Sequence, residues 1–134
     1  MADRRAPDDP AEWLNRAASN LKRARADERL EGVYLEDLCF DAQQAAEKAI
    51  KAVLMHRRVE FPYVHDLARL LTLLEESGLD IPQAVRDAER LTPYAVITRY
   101  PTLFEPVADE QYREVVELAD GVLRWARRCL WEDS

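Results

Sequence analysis

From Leu35 to Arg58 the chain holds neither proline nor glycine, and its apolar residues recur at the spacing of one helix face. Leu35, Leu38, Cys39, Ala42, Ala46, Ala49 and Val53 make the stripe, and Ala45, Ile50 and Leu54 widen it. The small residues in its middle let a second helix approach closely. Glu47 and Lys51 stand one turn apart, in the order that favours a helical ion pair. A long amphipathic helix of this kind calls for helical neighbours, and the rest of the sequence supplies them.

An earlier helix is predicted to begin near Asp9. Asp9 can cap it, Pro10 suits its first position, and Glu12 completes a capping-box pattern. Trp13, Ala17, Leu21 and Ala24 follow as its apolar stripe, and Lys22, Arg23, Arg25 and Arg29 crowd its later half, where cations complement the helix dipole. Gly32 closes that segment. After the loop Phe61-Pro62-Tyr63-Val64, a third helix is expected from His65 or Asp66 to Ser77, with Leu67, Leu70, Leu71 and Leu74 inward and Gly78 as a left-handed cap. A fourth starts near Pro82 with Val85, Ala88, Leu91 and Ala95 inward, and Pro93 should kink or restart it. Tyr100 precedes Pro101 and so favours extended backbone, which makes residues 98–108 a loop. The last helix, Asp109 to Trp131, carries Tyr112, Val115, Val116, Ala119, Val122, Leu123, Ala126, Cys129 and Leu130. Strand patterns are almost absent. The expected fold is all-α, an up-and-down bundle of four to five helices, in a single domain over residues 1–134 with its core at about 11–131.

Composition narrows the chemistry. The three glycines are scattered, which excludes a Gly-rich phosphate loop. A net charge of −7 argues against a general grip on nucleic acid, while leaving room for a local basic pocket, and suits a basic partner. Cys39 and Cys129 fall on apolar faces and read as buried, reduced thiols of a cytoplasmic protein. The first residues lack the apolar stretch of a signal peptide, and no segment approaches a membrane span. His56 and His65 have no metal-ligand spacing, and no nucleophile elbow occurs, so neither a metal nor a cofactor is expected.

Two short strings stand out. Thr98-Arg99-Tyr100-Pro101 places a guanidinium and a phenol at a helix exit. Arginine holds phosphate oxygens as a rigid fork, and tyrosine stacks or hydrogen-bonds. The local alternative has Arg99 paired with Glu105 or capping a carbonyl, and Tyr100 plugging the bundle end. His65-Asp66-Leu67 offers an imidazole suited to proton transfer, with Asp66 or His65 capping the next helix and a partly buried imidazole as the structural alternative. The basic residues of the first helix and of the C-terminus read as solvated helix faces.

Together, Cys39-Phe-Asp-Ala-Gln-Gln-Ala-Ala-Glu-Lys-Ala-Ile-Lys-Ala-Val-Leu54, His65-Asp-Leu67 with Leu70-Leu71, and Thr98-Arg-Tyr-Pro101 closely resemble the HEPN domain family. Trp13-Leu14, Ala17 and Asn20-Leu21 fit as well, and the resemblance covers about residues 11 to 130. It implies a helical bundle, commonly a homodimer, encoded in many members beside a small nucleotidyltransferase as a toxin–antitoxin-like pair. Numerous members are metal-independent ribonucleases with an Arg followed after four to six residues by His. There the Arg steadies phosphate charge and the His moves protons. This chain has no His after His65, so that signature is absent, and its Thr-Arg-Tyr-Pro string matches the branch proposed to bind nucleotides.

Three functional readings are therefore open. The first is a binding subunit, a homodimer working with a small nucleotidyltransferase and holding nucleotide or RNA phosphate at Arg99 and Tyr100, with Tyr94, His65 and Asp66 as further members of the cleft. The second is a ribonuclease whose catalytic residues are Arg99 and His65. The third is an assembly module without a ligand.

Overall fold

A computed structural model describes residues 5–26, 31–100 and 105–132. Every regular element among them is helical: α1 (Pro10–Ala24), α2 (Leu35–His56), α3 (Leu67–Glu76), α4 (Gln83–Arg86), a 3₁₀ segment (Asp87–Ala95) that continues α4, and α5 (Asp109–Glu132). Residues 101–104 of the expected loop and the Arg29 end of the basic run lie outside the described residues.

α2 is the spine. It packs most extensively on α1, then on α5, and also touches α3 and the 3₁₀ segment. Ala42, Ala45, Ala46, Ala49, Ile50, Ala52, Val53 and Leu54 are all fully buried. The run of alanines lets neighbouring backbones come close, and the large residues toward the C-terminal end fill the wider space there. α3 contributes Leu67, Leu70, Leu71 and Leu74, each fully buried and each worth about 1.5–3 kcal/mol of burial.

The ends of the elements follow local chemistry. Asp9 accepts from the Ala11 N–H at 2.9 Å, and Pro10 is the first residue of α1. The capping box is only half made. Glu12 does not reach back to Asp9 but accepts from the Arg5 backbone N–H at 3.0 Å and pairs with Arg16 at 3.0 Å. α1 ends at Ala24, earlier than Gly32, which instead turns the chain with φ 78° just before α2. Gly78 closes α3 in the left-handed region at φ 101°. Past Arg86 the backbone tightens into 3₁₀ turns that carry Pro93 within them, with Val85, Ala88, Leu91 and Ala95 still inward.

Two corrections concern faces. Leu14, not Trp13, is the fully covered residue in the first turn and a half of α1, since Trp13 lies at the edge of the core. Trp125 is buried on α5, whereas Val116 and Leu130 are only partly so. The start of α5 is tied to the end of α1 by the Tyr112 hydroxyl, which donates to the Ala24 carbonyl and satisfies an acceptor that the helix leaves open.

A polar seam fixes how α1 lies on α2. Asn20 Nδ2 donates to Asp41 Oδ1 at 3.2 Å, Lys48 Nζ donates to Asn20 Oδ1 at 2.7 Å, and Arg23 stands 3.5 Å from Asp41. Burial pushes the Asp41 carboxyl above its ordinary range, against the pull of Arg23. A slip of α1 along α2 would break all three contacts.

Candidate functional site

One face of α2 carries charge into the interior. Gln43, Glu47 and Lys51 follow one another at intervals of one turn, and all three are buried. Gln43 Nε2 donates to Glu47 Oε1 at 3.0 Å, and Lys51 Nζ donates to Glu47 Oε2 at 2.9 Å. His65, from the loop before α3, sets its Nδ1 2.9 Å from Glu47 Oε1. An ionised carboxylate only accepts, so this contact puts a proton on Nδ1 and turns Nε2 away from Glu47. The imidazole remains 59 % exposed, although its partner carboxylate is 6 % exposed. Burial alone would raise Glu47, but the hydrogen bonds from Gln43, Lys51 and His65 outweigh it and hold the carboxyl below its usual value. The Lys51 ammonium also lies 5.9 Å from the centre of the Phe61 ring.

Asp66, next in sequence, turns to the backbone. Its carboxylate accepts from the Ala68 and Arg69 N–H groups at 3.1 and 3.4 Å and caps α3. Leu67 N–H donates to Thr92 Oγ1 at 3.1 Å, which fastens the start of α3 to the 3₁₀ segment.

That segment leads to the second string. Beyond Ala95 the chain makes a tight turn in which Arg99 N–H and Tyr100 N–H both reach the Val96 carbonyl, at 3.0 and 3.3 Å. Ile97 is buried and anchors the turn, while Thr98, Arg99 and Tyr100 are exposed. Tyr100 keeps 55 % of its surface, so it does not plug the bundle. Among the described residues Arg99 forms no ion pair, with Glu105 or any other carboxylate. Pro101 lies outside the described residues.

Tyr94 faces α5. Its hydroxyl accepts from Gln111 Nε2, and burial raises the phenol while that bond opposes the rise. It lines a small cavity of about 170 Å³ with Arg90, Leu91, Gln111 and Glu114. The structure thus joins His65 to Glu47 and Lys51, commits Asp66 to capping and Tyr94 to Gln111, and leaves Arg99 and Tyr100 open. No hydrogen bond or ion pair links His65 to Arg99 among the described residues. Nor do these residues contain a group of three or more His, Cys, Asp or Glu side chains suited to a metal ion.

Glu47 and Gln43 were not among the sequence candidates. The pair Glu47–Lys51 is legible as an i,i+4 contact, but not as a buried one. The available signal is that Leu54 lies two turns beyond Glu47 on nearly the same bearing, so the widened apolar stripe passes over the carboxylate.

Residues 10–129 match the model of the HEPN domain. The crystal structure of an archaeal HEPN homologue superposes with a TM-score of 0.70 at 25 % identity, covering 96 % of this chain and 99 % of that one. No curated protein matches the chain.

Proposed function

The chain belongs to the HEPN domain family, and within it we propose a binding subunit that presents Arg99 and Tyr100 to the phosphate and base of a nucleotide or RNA. The observation that carries this reading is the exposed guanidinium without a carboxylate partner among the described residues, held beside an exposed phenol on an anchored turn. A free guanidinium offers a planar fork to phosphate, and a neighbouring phenol adds stacking. The likeness of the sequence to its family supports the rest: a homodimer, a small nucleotidyltransferase as partner in a toxin–antitoxin-like pair, and a cytoplasmic setting. No described helix is long and apolar enough to cross a membrane.

Titration of ATP, GTP and short single-stranded RNA against the purified protein tests the proposal. Saturable binding that Arg99→Ala abolishes, with an unchanged circular dichroism spectrum, is the expected result. Equal binding by the variant would move the site elsewhere, and no binding at all would favour an assembly module. Light scattering reads the homodimer, and co-purification with the product of a neighbouring nucleotidyltransferase frame reads the partner.

One observation favours a second reading. Glu47 orients His65 as a carboxylate orients a catalytic imidazole, fixing the tautomer with Nε2 free to take a proton. A ribonuclease on this plan uses Arg99 for the phosphate and His65 for proton transfer. RNA cleavage lost in both Arg99→Ala and His65→Ala would support it, and equal background cleavage by all three proteins would remove it.

A further inference from the structure

An open groove of about 480 Å³ lies where the segment entering α1 meets the end of α2 and the loop after it. Its walls are aromatic. Trp13 is held in place by its indole N–H, which donates to the Pro7 carbonyl at 3.0 Å. Phe61 and Tyr63 flank Pro62, and the Val64 N–H closes that loop on the Pro62 carbonyl at 3.0 Å. Tyr63 is 99 % exposed, with none of the described residues covering its ring.

The charged groups of the groove are Lys51, Asp8 and Glu60. Lys51 is answered by Glu47 at 2.9 Å. Asp8 and Glu60 are exposed and form no ion pair among the described residues. The groove therefore presents aromatic rings, whose faces are electronegative, together with two carboxylates unpaired among the described residues. Both features attract a cation and both repel phosphate. We infer that this groove docks an arginine side chain of a partner protein. A guanidinium stacks flat on aromatic rings and pairs in a fork with carboxylates, which a compact ammonium does less well. A second copy of this chain is the poorer occupant, because it brings a net charge of −7 of its own to the encounter. Neither Arg99 nor Tyr100 lines this groove.

The test follows the indole N–H signals of the ¹⁵N-labelled full chain, with Trp13 assigned through Trp13→Phe, while a blocked Gly-Arg repeat peptide is added. Gly-Lys and Gly-Glu repeats and ATP serve as separate arms. The Gly-Arg peptide should move the Trp13 signal and bind more tightly than Gly-Lys. Tyr63→Ala should weaken it about tenfold without shifting the thermal midpoint, since that ring is fully exposed. Glu110→Gln removes an exposed carboxylate on α5 and should change the affinity by less than about twofold. Four outcomes would overturn the inference: no movement of Trp13 with Gly-Arg, movement with ATP or Gly-Glu, equal losses in Tyr63→Ala and Glu110→Gln, or a Tyr63→Ala effect confined to oligomeric mass.

Discussion

Replacing Glu47 with glutamine keeps the shape of the side chain and removes its charge. Glu47 is 6 % exposed and Lys51 8 %, so the 2.9 Å pair between them is almost wholly out of water. The variant leaves the Lys51 ammonium buried beside an amide, and stranding one member of a buried pair costs about 3–5 kcal/mol. For a chain of this size that is a fall in thermal midpoint of about 12–20 °C near neutral pH. The pH dependence sharpens the expectation. The folded-state carboxyl is held below its unfolded value of 4.5. Its contribution is complete above that value and fades as the pH falls through the lower folded-state value, where wild type also carries a neutral carboxyl beside Lys51. The gap between wild type and Glu47→Gln should therefore be widest from neutrality down to about the ordinary carboxylate range, and narrow below it. The double change Glu47→Leu with Lys51→Met should recover most of the loss, because no charge is then buried. Thermal unfolding by circular dichroism across pH measures all of this. A single variant within about 1 kcal/mol of wild type at neutral pH, or a gap indifferent to acid, would refute the reasoning.

Asp66→Ala removes the cap of α3 and should cost about 1 kcal/mol by chemical denaturation, while Asp66→Asn should recover most of it. Gly78→Ala meets no atom within 4 Å, so its penalty is backbone strain at φ 101° alone, about 1–2 kcal/mol on the same assay. The Cys39 thiol is pushed up to about 12 by burial, with Glu36 adding to the rise, so Cys39 in the native protein should resist iodoacetamide at pH 8 and react once denaturant is added, as read by mass spectrometry.

The elements were legible because their signals are local. Asp9-Pro10, Asp66 and Gly78 mark helix ends through a side chain or a backbone preference that acts within a few residues, and α5 begins at Asp109 as its periodicity predicts. The structure departs from the sequence pattern where tertiary neighbours decide. Trp13 and Leu14 are adjacent in sequence, and only the position of α2 selects Leu14 for the interior. Glu12 has the spacing of a capping box, yet the preceding segment folds back and offers the Arg5 N–H instead. The candidate site divides in the same way. That Arg99 and Tyr100 stand open, and that Asp66 caps, depends on nearby backbone. The meeting of His65 with Glu47 joins two elements across the α2–α3 loop, and pairwise spacing along one helix carries no trace of it.

The guanidinium–phenol turn hangs from a stretch wound in 3₁₀ geometry, whose bonds are less well aligned than those of the α-helices around it. Such a stretch breathes at lower energy than the spine it leans on. Amide protons from Asp87 to Ala95 should consequently be among the first helical ones to trade with deuterium, and anything that clasps the turn should slow them. The molecule thus keeps a yielding framework directly behind residues it shows to the outside.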